Sequence, residues 1–154
     1  MENTILFLIT ILSFLSYVLW VWIKFGKQQS ISHSYLLLTS RQKILFTLFC
    51  WGTAIPAMLL GNSIWMFLAG SGMVFVGAAA NISEKMTKAV HQVAAYSMVL
   101  FSLLAIAFQY HNYTILILWV SASLLSLMVR KYLIWWVEII TFFAIITVLF
   151  QSIS

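Results

Sequence analysis

The chain has 154 residues, of which 64% are hydrophobic and 16% aromatic but only 7% charged, and its mean hydropathy is +1.06. A soluble domain carries about 25% charged residues, so the composition excludes a water-soluble fold and reads as an integral membrane protein. Lys plus Arg number 8 against 3 Asp plus Glu, a net +5; these basic residues stand between apolar runs rather than in a patch, which argues against nucleic acid as a partner.

A hydrocarbon core of about 30 Å takes roughly 20 apolar residues at 1.5 Å rise per residue. Six such runs occur, at about 4–23, 44–60, 63–82, 89–110, 113–128 and 132–150. They are apolar on every face and lack the residue-by-residue alternation of a membrane barrel. The expected fold is therefore all-α, a single six-helix membrane bundle.

The first run has no basic segment before it and no small-residue cleavage site after it, so it is expected to stay in the mature protein. The connection at 24–43 is the longest and contains Ser30-Ile31-Ser32-His33-Ser34-Tyr35. Such a hydroxyl-rich stretch beside Lys27, Arg41 and Lys43 suits a lipid head group or phosphate; a capped turn is the plainer alternative. The apolar stretch 35–38 is expected to dip into the interface.

The second run carries Pro56, the only proline, expected to kink the helix near its end. It also carries Cys50, the only cysteine, so neither a disulfide nor a zinc spacing is available. No cofactor and no metal are expected. The third run places Gly70, Gly77 and Asn81 on one side, with Asn81 ending the helix.

In the fourth run His91, Ala95, Met98, Ser102, Ala105 and Gln109 recur at steps of four and three, a face of small and polar residues directed into the bundle. The sixth run contains Glu138, seven residues past Lys131 and hence about 10 Å along the helix. A carboxyl group at that depth must be neutral or face a polar cavity and a cation. His91, at a similar level, is its expected partner. Thr141, Ile145, Val148 and Ser152 share its face. The plainer alternative is that Glu138, His91 and Asn81 hydrogen-bond to one another and fix helix register.

All eight basic residues flank the first, third and fifth connections: Lys24, Lys27, Arg41, Lys43, Lys85, Lys88, Arg130 and Lys131. The positive-inside rule makes these connections cytoplasmic and puts both termini outside, in a multi-pass protein of the inner, cytoplasmic membrane. Trp20, Trp22, Tyr110, Tyr113, Tyr132, Trp135 and Trp136 fall near run ends and read as interfacial belts. A Ser–His–Glu set can be written from Ser30, Ser32 or Ser34 with His91 and Glu138, but no G-x-S-x-G elbow supports it. An enzyme is not expected; the activity such a set would suit is hydrolysis or transfer on a membrane lipid.

The Ser30-Ile31-Ser32-x-Ser34-Tyr35 loop, the Gly-rich third run, His91-x-x-Ala94-Ala95 and Val137-Glu138-Ile139-Ile140 followed by Phe142 and Phe143 resemble the small bacterial six-span proteins of the DUF998 type. These are similar in turn to the Frag1/DRAM group. The chain departs from that pattern at Ala79-Ala80-Asn81, where Phe-Pro is expected, and at Leu36, where a second Tyr is expected. The resemblance implies a six-helix bundle without assigned activity and draws Ser30, Ser32, Tyr35, His91 and Glu138 into one cytoplasmic-side cluster.

Three functions remain open. The first is a pocket formed by Glu138, His91, Asn81, Ser30, Ser32, Tyr35 and Arg41 that binds a lipid head group or small amphiphile, with membrane lipids as partners. The second is a proton- or cation-coupled transporter or channel. The third is a structural or accessory subunit, packed as a homo-oligomer or against another membrane protein.

Overall fold

In the computed structural model, which describes residues 2–80 and 85–153, each of the six apolar runs is a helix. They are α1 (Glu2–Phe25), α2 (Lys43–Gly61), α3 (Ile64–Ala78), α4 (Lys85–Leu104), α5 (Tyr113–Ser126) and α6 (Leu133–Ile153). No strand occurs among the described residues. A π turn, Ala105–Gln109, extends α4; 3-10 turns cover Ser32–Leu37 in the first connection and Leu127–Tyr132 between α5 and α6.

Among the described residues four helical stretches are long and apolar enough to cross a membrane: Glu2–Phe25, Lys43–Gly61, Lys85–Gln109 and Arg130–Ile153. The other two are shorter than expected, 15 residues in α3 and 14 in α5. At 1.5 Å per residue they rise about 21–23 Å, less than the hydrocarbon core of about 30 Å. In α5 the shortfall arises because the chain tightens into the 3-10 turn. Pro56 is buried inside α2, which continues past it to Gly61.

Side-chain contacts give the helix directions. Tyr17 stacks on Phe49 with centroids 4.5 Å apart, and Ser13 lies against Gly52, so α1 and α2 are antiparallel. Gly77 meets Cys50 while Gly70 meets Met58, which sets α3 antiparallel to α2. His91 joins Ala79 and Gly72 abuts Met98, setting α4 antiparallel to α3. Trp119 with Thr141 and Asn112 with Gln151 do the same for α5 and α6. Phe7 meets Phe150 at 5.7 Å and Phe14 stacks on Phe142, so α6 closes back antiparallel on α1. The start of α1 and the end of α6 thus share one end of the bundle. The basic residues gather at the other end, called the basic end below.

At the end away from the basic residues the turns are capped by Asn and Ser rather than by a left-handed glycine. Asn62 takes a left-handed φ of 41° after α2, and the Ser63 hydroxyl accepts the Met66 N–H at 3.2 Å to cap α3. Asn112 caps α5 by accepting the Ile115 N–H at 3.1 Å. The Gln109 side chain clamps this same end, donating to the Gly61 carbonyl and accepting from the Ser63 hydroxyl. Leu12, Leu59, Ile117 and Leu125 are each more than 60% exposed, an outward apolar surface suited to hydrocarbon.

Backbones of α3 and α4 approach closely at Gly72, where a Cβ would stand 2.8 Å from the Ala94 carbonyl oxygen and 3.0 Å from the Met98 nitrogen. Because backbone cannot move aside as a side chain can, Gly72→Val is expected to destabilise the bundle by about 1–3 kcal/mol. Gly26, at φ +72° with open space around it, is expected to lose only about 1 kcal/mol as Ala. Thermal unfolding of the two variants in detergent checks the order.

Candidate functional site: an interior cavity closed by the first connection

The first connection is held against α6 by a reciprocal pair of backbone-based hydrogen bonds. Near the start of α6 the Trp135 N–H donates to the Gln29 carbonyl at 3.1 Å, satisfying an amide that has no partner within the helix. Two residues along, the Ile31 N–H donates to Glu138 Oε2 at 2.5 Å. The intervening turn is pinned from α1 as well. The Ser34 hydroxyl donates to the Ile31 carbonyl at 2.5 Å and accepts from the Tyr17 hydroxyl at 2.7 Å, and Ser34 is fully buried.

Beneath this closure lies a cavity of about 90 Å³ bounded by α1, α2, α3, α4 and α6. Its wall is mostly apolar, with Phe14, Phe46, Met73 and Ile145 among its residues. Glu138 and Ser32 reach it from the basic end, and Thr53, Ser102 and Thr141 line it further along. Among the described residues the Ile31 amide is the one hydrogen-bond partner of the Glu138 carboxyl. Thr141 returns its hydroxyl to the Val137 carbonyl at 2.7 Å and accepts the Trp119 indole N–H at 2.8 Å. Thr53 is different: its hydroxyl is buried on the cavity wall and no described group hydrogen-bonds to it.

The structure brings together part of the residue set expected from sequence. Glu138, Ser32 and the Ile31 backbone meet at the cavity mouth. Ser30 joins them indirectly, its hydroxyl 3.0 Å from that of Ser32 and accepting the His33 N–H at 3.0 Å. Tyr35 stands outside, edge-on to Phe46 at 5.7 Å with the Lys43 ammonium 4.8 Å from its ring centroid. Arg41 is exposed and is not part of the cavity wall. Asn81 lies outside the described residues.

His91 and Glu138 do not hydrogen-bond to each other. His91 is buried, with Nδ1 3.1 Å from the Ala79 carbonyl oxygen; it ties α4 to the end of α3 and is absent from the cavity wall. The physical reason is local. The carbonyls at the C-terminal end of α3 lack helical partners, and one of them takes the imidazole, whereas Glu138 takes an amide from the loop. No hydrogen bond joins His91 to Ser30, Ser32 or Ser34 either. Among the described residues no cluster of three His, Cys, Asp or Glu side chains is placed to hold a metal.

The site includes two members whose part in it the sequence alone leaves undetermined. The Ile31 amide carries no sequence signal, since every non-proline residue offers one. Thr53 does have a weak signal, a lone hydroxyl inside an apolar run, but its orientation depends on the packing of α2. Comparison with known proteins gives no match, whether to family models, curated proteins or solved structures. The likeness to DUF998-type proteins rests on its short motifs alone.

Ile31 has φ −60° and ψ −41°, close to the φ of about −65° that proline imposes. Ile31→Pro therefore removes the N–H at little cost in φ, leaving a carboxyl oxygen unpaired. The expected loss is about 1–3 kcal/mol of stability. The same substitution in a Glu138→Leu background is expected to cost less, and a double-mutant cycle of unfolding midpoints measures the difference.

Proposed function

We propose that the chain is a multi-pass protein of the cytoplasmic membrane whose interior cavity binds a small amphiphile, apolar along its length and carrying a hydrogen-bond donor at one end. The observation that carries this reading is Glu138 at the mouth of a largely apolar cavity, beneath a polypeptide closure. Apolar walls favour hydrocarbon. A carboxyl group in that setting needs a donor or a cation, and the Ile31 amide supplies only one hydrogen bond. A hydroxyl or amine head reaching Glu138 would meet both conditions.

In this reading all six helices lie in the bilayer, with the basic end cytoplasmic and both termini outside, in the manner of the DUF998-type proteins. Support comes from the alternating helix directions and from the segregation of basic residues at one end. A Cys50→Ser background carrying Ser40→Cys is expected to label with a membrane-impermeant maleimide only from the cytoplasmic side, and one carrying His111→Cys only from outside.

Extracts of the wild-type protein purified in mild detergent are expected to contain a small amphiphile detectable by mass spectrometry. Glu138→Leu should lose it, while Glu138→Gln, whose amide oxygen still accepts, should retain part. Identical extracts from wild type and Glu138→Leu would overturn the reading.

A second reading, proton or cation passage, is favoured by the unpartnered Thr53 hydroxyl on the same wall. An orphaned buried hydroxyl marks a position for water. Proteoliposomes should then show a flux that Glu138→Gln abolishes and Thr53→Val reduces.

A further inference from the structure

The outer face of α1 and α2 carries a second recess, separate from the interior cavity. It is a groove of about 390 Å³ bordered by Ser13, Ser16 and Trp20 of α1 and by Leu45 and Leu48 of α2, above a floor formed by the stacked Tyr17 and Phe49. Both helices have membrane-crossing length, so the medium facing the groove is hydrocarbon. Its depth comes from the two small serines. Ser16 donates its hydroxyl to its own helix, to the Ser13 carbonyl at 3.3 Å, which leaves the groove without demand for a polar ligand at that level.

One end of the groove is basic. The Lys24 ammonium lies 5.0 Å from the ring centroid of Trp20 and 5.1 Å from that of Phe25. The antiparallel register fixes what stands opposite. Ser13 faces Gly52 and Tyr17 faces Phe49, so continuing the pairing brings Lys24 level with Arg41 and Gln42 just before α2, while the Lys43 ammonium is turned to the Tyr35 ring. The N-terminus of α2 adds its partial positive charge. Among the described residues the two acids are Glu2, at the opposite end of α1, and Glu138, turned toward Ile31. Neither offsets the positive charge.

We propose that this groove is a binding site for an anionic phospholipid, one acyl chain lying between α1 and α2 and the phosphate held by Lys24 and Arg41. A zwitterionic lipid would fill the groove equally well but would gain less from two cations. A second copy of this chain would bring its own positive charge to the same end. The proposal depends on the chain lying in a bilayer and is independent of what occupies the interior cavity.

The test is native mass spectrometry of the full chain in mild detergent, with dioleoyl phosphatidylglycerol and dioleoyl phosphatidylcholine added at equal concentration. One phosphatidylglycerol should be retained in preference, and each charge removed in Lys24→Gln and Arg41→Gln should weaken that preference about fivefold. Ser16→Phe, at an exposed position, should reduce retention of both lipids. Lys27→Gln serves as the control, because its ammonium lies over Trp136 instead, and it should leave the preference intact. Equal retention of the two lipids by the wild type would overturn the proposal. So would a loss in Lys27→Gln as large as in Lys24→Gln, which would mean diffuse attraction, or a dimer that Ser16→Phe dissolves.

Discussion

The hydrogen bond from the Ile31 amide to Glu138 organises the basic end of the molecule. It joins positions 107 residues apart in the sequence and satisfies two groups that hydrocarbon penalises, a carboxyl oxygen and a loop amide. Its companion from Trp135 to Gln29 makes the contact two-pronged, so the loop is fixed in register as well as in position. The Tyr17–Ser34 bond then carries the same constraint to α1. Through one polar side chain on α6, three segments that could otherwise slide past each other are brought to a single arrangement over the cavity.

The opposite end is secured by different means. There Gln109 bridges the turn between α2 and α3, and Asn112 reaches Gln151 at 2.8 Å. Between the two ends, glycines at 70, 72 and 77 bring α3 against α2 and α4, while α5 buries only Ser126 and leans chiefly on α6. The bundle is therefore tightest from α1 to α4, whereas α6 meets them at fewer points, across the cavity, and pairs most extensively with α5.

Much of the fold was legible in the sequence because hydrophobic run length is a direct consequence of the solvent in which a membrane helix sits. Each of the six runs is a helix. The spacing in α4 correctly turned His91, Ser102 and Ala105 inward, and that in α6 did so for Thr141, Ile145 and Val148. Helix length was less legible: apolar composition continues through 127–128 even though the backbone there has tightened to a 3-10 turn. The site was legible only as far as chemistry is carried by side chains. Glu138 stood out as an acid in an apolar run, but its partner is a backbone amide, which every residue between the helices offers. His91 had an equally plausible alternative acceptor at the end of α3, and nothing in residue spacing distinguishes a carboxylate from a free carbonyl.

The shortness of α3 and α5 bears on where such a bundle rests most easily. Hydrophobic mismatch costs a fraction of a kcal/mol per Å; with all six helices in the bilayer, as proposed, α3 and α5, rising about 21–23 Å, would favour a thin one, and the longer α1 and α6 would accommodate it by tilting. The chain length of the surrounding lipids thereby becomes a control on the protein's tilt, and through tilt on how firmly its loops press against the headgroup layer.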